Sequence, residues 1–311
     1  MKIAELKDRV VSGAARVYAR RTMADYAERA EESQFEVTVT RVVELNPVMR
    51  RITLSAPEIR DYSLLGPDEY FGLLMPGADG RLHLPDPERS NVRAAVSEMP
   101  EDEQPGLRWY TIRGIRRREG EVDVDIVTHG DSGPGSGLRA TSVQVGDIAG
   151  FRSGGALYSS FDQPGQLLVA DETALPALPA ILEERSRRGL PGLGEGVEAH
   201  VEVPSSSVLD GMDVPTDVVV HLRGSAAPGT AVLAALAESP ASSAGPDYAW
   251  LCGESGPATS LRRHLVQQGM DKRQITFSGY WKLGAARLTT GRIACCPWSR
   301  TSSPSMSTAR S

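Results

Sequence analysis

Cysteine is scarce in this 311-residue sequence, with three thiols at Cys252, Cys295 and Cys296. Three thiols, two of them adjacent, do not fill the ligand set of a structural zinc site or a plant-type iron–sulfur cluster, and a disulfide framework is equally excluded. Redox chemistry in this chain therefore has to come from an organic cofactor. Cys252 stands inside an apolar run and reads as a small core residue. Long hydrophobic runs are missing too: none approaches the ~20 residues of a membrane-spanning helix. Acidic residues as early as Glu5 and Asp8 are foreign to a secretory signal, so the cytoplasm is the expected location. Positive charge is in deficit, with 34 Lys and Arg against 40 Asp and Glu and a net charge of −6. That balance argues against a general nucleic-acid binder, which needs a basic excess. Lysine is scarce beside arginine, so local cationic sites remain available.

What is present is enough for two domains with a substantial core, and 40% hydrophobic with 24% charged residues describes a globular chain. Over residues 1–34, Ile3, Leu6, Val10, Ala14 and Val17 recur at helical spacing. This predicts a helical extension, packed on the outside or across a partner subunit. From Phe35 the period becomes two. Short strands are predicted over 35–42, 50–54, 70–75 and 81–84, punctuated by Asn46-Pro47, Pro76-Gly77 and Pro85, and this succession predicts a small antiparallel barrel over 35–163. Residues 85–107 are polar, acidic and proline-bearing, and read as a long surface loop. Past residue 164 apolar strands at 166–170, 197–203, 218–222, 248–252 and 274–278 alternate with helices to about 187, at 230–237 and at 258–268. That pattern predicts a doubly wound parallel sheet over 164–284, which binds ligands at the carboxyl ends of its strands. Residues 285–311 have no acidic residue, four arginines and many serines and threonines, the composition of a disordered tail.

Three stretches have side chains suited to chemistry. In Arg108-Trp109-Tyr110-Thr111-Ile112-Arg113, strand alternation turns Arg108, Tyr110 and Ile112 one way and Trp109, Thr111 and Arg113 the other. A phenol ring stacks on a planar heterocycle, a threonine hydrogen-bonds a ring nitrogen, and a guanidinium takes a phosphate two-pronged. An amphipathic strand with ordinary surface arginines fits the same residues. The strand at 122–129 ends in His129 and runs into Gly130-Asp131-Ser132-Gly133-Pro134-Gly135-Ser136. Gly133 and Gly135 let backbone amides approach a ligand, and Ser136 can cap a short helix, which together suit a pyrophosphate; a flexible surface turn is the alternative. Asp171-Glu172-Thr173-Ala174-Leu175-Pro176 reads by itself as a helix start capped by Asp171 or Thr173. Past the second parallel strand, where an NAD site places an acidic residue, the sequence is Pro204-Ser205-Ser206-Ser207. Neutral hydroxyls there favour NADPH over NADH.

Taken together these stretches resemble the siderophore-interacting proteins, NADPH-dependent flavoenzymes of the ferredoxin-reductase-like superfamily that reduce ferric siderophores. The resemblance runs from about Phe35 to Gly284. Arg108 to Arg113 matches the flavin-strand pattern R-x-Y-[ST]-x-R, and the His129 turn resembles H-G-x-x-G-P-A-S-x-W-A, with Gly135 in place of alanine and no tryptophan. Asp171 to Ala177 resembles G-D-E-T-A-L-P-A, with Ala170 for the leading glycine. Arg223 looks like the arginine of W-L-x-R, Trp250 to Glu254 resembles W-x-A-G-E, and Gly279 to Gly284 resembles G-Y-W-[RK]-x-G.

The resemblance implies that FAD is held by Arg108, Tyr110, Thr111, Arg113, His129, Gly133, Gly135 and Ser136, with His129 a positioning residue. It implies NADPH contacts from Asp171, Glu172, Thr173, Ala174, Arg223, Gly253 and Glu254. Arg223 meets the 2′-phosphate, and Thr111 and Thr173 lie at the hydride-transfer site as catalytic residues. Tyr280 and Trp281 wall the flavin and substrate pocket, where Lys282 and Arg263 offer charge to an anionic ferric siderophore. Hydride would pass from nicotinamide to flavin N5 and single electrons to Fe(III), releasing Fe(II), with no metal held by the protein itself. A non-catalytic protein that binds a siderophore or a partner in the same cleft, and an electron donor to another protein, are the alternatives.

Overall fold

The computed structural model describes residues 21–128, 143–238 and 245–284. The apolar positions of the expected N-terminal helix, the turn carrying His129, Gly133, Gly135 and Ser136, and the tail from 285 lie outside the described residues.

Seven strands form the first sheet: β1 (Gln34–Asn46), β2 (Met49–Ser55), β3 (Tyr70–Met75), β4 (Gly106–Thr111), β5 (Gly114–Arg116), β6 (Glu121–Val127) and β7 (Ile148–Ser153). Their order in space is β4-β3-β7-β1-β2-β6-β5, with antiparallel pairing throughout. The edge strands β4 and β5 are consecutive in the chain, separated only by Ile112-Arg113, so the sheet has to roll until its edges meet. Arg113 N donates to Asp123 O in β6 at 2.9 Å across that seam. The expected antiparallel barrel is therefore present, its seam bridged by the chain and not by a continuous ladder.

Alternation in the sequence sets what lies inside. Phe35, Val37 and Val39 of β1 point inward with Ile52, Leu54, Leu73, Val122 and Val124, and Phe35 and Phe71 stack against Phe151 at centroid distances of 4.8 and 4.6 Å. Two expectations fail here. Residues 81–84 join no ladder, and the supposed loop at 85–107 contains a short helix, α1 (Val92–Ser97), capped by Asn91. Leu82 and Leu84 pack with Val92 and Val96 onto Leu74 and Leu107, so the segment satisfies its apolar residues through a helix and not through strand pairing. Gly150 in β7 makes room for this: a Cβ there would lie 2.4 Å from Leu84 Cδ2. The helix is too short, and its two buried valines too few, to register as a period.

The second sheet is β8 (Gln166–Asp171), β9 (Val197–Val203), β10 (Val219–Leu222), β11 (Tyr248–Glu254) and β12 (Ile275–Trp281). It is parallel throughout in the order β10-β9-β8-β11-β12, as the alternation of strands and helices predicts. Helices α3 (Thr230–Glu238) and α4 (Ser255–Gln267) cover one face through Val232, Leu261 and Leu265. Helix α2 (Ala177–Arg187) covers the other, where Leu178 and Ile181 share a core with Met49 of the barrel. β8 is buried along its whole length, which is why it reads as a continuous apolar run. Strand order reverses between β8 and β11, so the ligand crevice of such a sheet belongs at their carboxyl ends. No helix among the described residues is long and apolar enough to cross a membrane.

The two sheets meet on a buried carboxylate. Asp68 is fully shielded from solvent and accepts from Leu157 N, Tyr158 N and Trp250 Nε1, each at 3.0 Å. Burial pushes its carboxyl up to about 6. Asp68→Ala leaves three buried donors without an acceptor, at ~1–3 kcal/mol each, and is expected to lower the melting temperature by roughly 10 °C. Trp250→Phe removes one bond and should cost far less. Calorimetry on both variants checks this; an Asp68→Ala protein melting within about 2 °C of wild type would remove Asp68 as the junction's anchor.

Candidate functional site

The carboxyl ends of β8, β11 and β12 are tied together by Asp171. Its Oδ1 accepts from Thr173 N at 2.8 Å and Thr173 Oγ1 at 2.6 Å. Its Oδ2 accepts from Glu254 N and from the Trp281 indole, both at 2.7 Å. Gly253, with φ 145°, allows the approach, since a Cβ there would lie 2.5 Å from Asp171 Cγ. Burial, and then the neighbouring Glu172, push Asp171 up to about 6. Ala174 is enclosed in the core. Glu254 caps α4 by accepting from Gly256 N and also takes Leu283 N at 2.9 Å.

Glu172 is buried and forms a two-pronged ion pair with Arg223, at 2.7 and 2.9 Å. The crevice beside it is lined by Asp171, Glu202, Arg223, Gly229, Gly253 and Pro257. Glu202, which sequence reading passed over, ends β9 as a buried carboxylate accepting from Gly229 N at 2.9 Å and Val232 N at 3.3 Å. The acidic residue of the second strand is thus present, just before Pro204 to Ser207, and bound to the start of α3.

On the barrel side, Tyr110 is half-buried against the barrel core and Thr111 is buried. The strand ends at Thr111, and the alternation expected through Arg113 ends with it: Ile112 is also buried, its N–H donating to Glu69 O at 2.8 Å. Arg113 lies past the end of the strand. Its guanidinium pairs with Glu183 of α2 at 2.7 Å, with Asp213 at 3.7 Å, and so spans the two sheets. Arg93 of α1 takes the place beside Arg108. Its proton affinity is lowered by burial and by Arg108, and only the packing of α1 against Leu107 brings the two together. Tyr280 brings a buried hydroxyl to Thr111 and Cys252, and burial raises its pKa well above the ordinary value. Cys252 is buried. Lys282 and Arg263 are exposed. Arg262 instead donates to Thr22 O at 2.7 Å and lies over Phe277, holding the N-terminal segment.

Residues 38–156 match the model of the siderophore-interacting FAD-binding domain, and residues 163–284 match that of the siderophore-interacting protein. The chain belongs to the siderophore-interacting protein family. An Escherichia coli member named NADPH-dependent ferric-chelate reductase is 30% identical over 79% of this chain and 92% of its own length. A ferric acinetobactin reductase of Acinetobacter baumannii is 25% identical over 63% of this chain and 67% of its own. Among solved structures, a siderophore utilization protein from T. fusca superposes with a TM-score of 0.65 and 26% identity, covering 85% of this chain and 98% of that one. A siderophore-interacting protein from Aeromonas hydrophila gives 0.62 and 27%, covering 81% and 92%.

The residues present fit the flavin that the family's barrel model names. The buried hydroxyl of Tyr280 beside Thr111 puts two polar side chains at one point of the junction, which suits a polar ring edge. The like charges of Arg93 and Arg108 favour an anionic group near them.

An aspartate in the unfolded chain titrates near ~4, whereas Asp171 in the folded protein titrates at about 6. Folding therefore takes up a proton between these values. The contribution of Asp171 to stability is full below the lower one, declines as pH rises through the upper one, and is constant beyond. The stability margin of wild type over Asp171→Asn should narrow by about 2 to 3 kcal/mol across that window. Urea denaturation from pH ~4 to ~7 at constant ionic strength measures it, and a margin that does not move would assign the titration to another group.

Proposed function

We propose that this chain is an NADPH-dependent flavoprotein reductase that converts Fe(III) in a ferric siderophore to Fe(II) and so releases the iron. The barrel, residues 35–163, holds FAD, and the parallel-sheet unit, residues 164–284, receives NADPH. One observation carries the reading: Thr111, ending the flavin strand, meets Tyr280, ending the last strand of the dinucleotide sheet. The two binding elements thereby open onto one junction. The relatives named as ferric-chelate and ferric-siderophore reductases support the same substrate class.

When bound, the flavin supplies the conversion between a two-electron donor and a one-electron acceptor. The chain contributes orientation and electrostatics. Tyr110 offers a ring for stacking, and Thr111 a hydrogen bond to a ring nitrogen. Arg108 and Arg93 hold the diphosphate. Asp171 draws Thr173, Glu254 and Trp281 to one point, which sets the width of the crevice that receives the nicotinamide. Exposed Lys282 and Arg263 offer positive charge to an anionic iron chelate. Fe(III) is a hard ion favoured by anionic oxygens and Fe(II) is held less tightly, so reduction alone loosens the complex and no side chain has to act as acid or base.

Purified protein supplied with FAD should show a flavin spectrum that bleaches anaerobically with NADPH and returns when a ferric siderophore is added. Protein that takes up no FAD would instead be a binding protein with the fold of a reductase. Thr111→Val keeps the buried volume and removes the hydroxyl; stopped-flow absorbance should show flavin reduction slowed about tenfold or more with melting unchanged. An unaltered rate would take Thr111 out of the mechanism.

A further inference from the structure

The ion pair between Glu172 and Arg223 closes the contact by which Arg223 would recognise a phosphate. Arg223 Nη2 meets Glu172 Oε1 at 2.7 Å and Nη1 meets Oε2 at 2.9 Å, with the two side chains 9% and 1% exposed. A guanidinium fork fits a carboxylate and a phosphate through the same two donors. It cannot serve both at once. We propose that Glu172 is an internal occupant of the 2′-phosphate site: it holds Arg223 until a dinucleotide carrying that phosphate displaces it, and so sets the preference between NADPH and NADH.

Three carboxylates act on Arg223, those of Glu172, Glu202 and Asp171, but they are held in different ways. Glu202 is fixed by the backbone N–H groups of Gly229 and Val232. Asp171 is fixed by Thr173, by Glu254 N and by the Trp281 indole. Glu172 is held through the side-chain fork of an arginine, whose two donors a phosphate can take over, so it is the member of the three that can exchange. The surroundings of Arg223 favour the exchange. Its N–H donates to Val203 O at 3.0 Å, at the end of the strand that leads into Ser205, Ser206 and Ser207. These serines are exposed, with the Ser205 and Ser207 hydroxyls 2.8 Å apart, and a phosphate drawn to Arg223 finds further donors there.

Displacement affects the two dinucleotides unequally. A phosphate dianion brought to Arg223 with Glu172 in place is repelled by a carboxylate at close range in a partly dry crevice. A dinucleotide without the 2′-phosphate puts no charge there and does not feel the lock. Glu172 therefore weakens binding of the phosphorylated form selectively, as a repulsive element in specificity.

The proposal rests on the reading of this crevice as the dinucleotide site, and the test separates the two. Calorimetric titration with 2′,5′-ADP and with 5′-ADP needs neither flavin nor iron. Wild type should bind both. Glu172→Gln should tighten 2′,5′-ADP about tenfold and leave 5′-ADP within about twofold. Glu172→Asp keeps the charge but is too short to span both guanidinium nitrogens, and should tighten 2′,5′-ADP by a smaller factor; it serves if the glutamine variant does not fold. Equal changes for the two nucleotides, or none, would overturn the role of Glu172 while leaving the dinucleotide site intact. Wild type that binds neither nucleotide would overturn the site and the proposal together.

Discussion

A carboxylate removed from water has to be met by hydrogen-bond donors, and the architecture of this chain turns on how two such groups are met. Asp68 draws its donors from the linker at Leu157 and Tyr158 and from Trp250 of β11. Asp171 draws its donors from its own loop, from Glu254 at the far end of β11 and from Trp281 of β12. β11 is common to both. One end of its influence fixes the barrel to the sheet, and the other fixes the mouth of the crevice, so the position of the barrel and the shape of the site are set by one strand.

Charge is distributed to match the parts. The barrel side of the junction brings Arg93 and Arg108 together, whereas the crevice of the parallel sheet gathers Asp171, Glu172 and Glu202 around Arg223. A net charge of −6 conceals this polarity. The like-charged arginines favour an anionic group, and the carboxylates keep Arg223 engaged. Arg113, which its sequence neighbours mark as a cofactor ligand, also pairs with Glu183 of α2 and so links the two sheets.

The local pattern determined a good deal. Strand alternation in 35–42 and apolar runs in 166–170 and 248–252 specify an antiparallel sheet followed by a parallel one, because side-chain period and two-sided burial are properties of the segment itself. The motif stretches around Thr111, Asp171 and Tyr280 also marked the strand ends that converge at the junction. What only the tertiary structure decided are pairings across sequence distance: Arg93 beside Arg108, Glu172 on Arg223, Glu202 on the start of α3, and the short helix over Leu74 and Leu107. None of these leaves a local signal, because a buried charge is defined by the partner that satisfies it, and that partner arrives only when the sheets have closed.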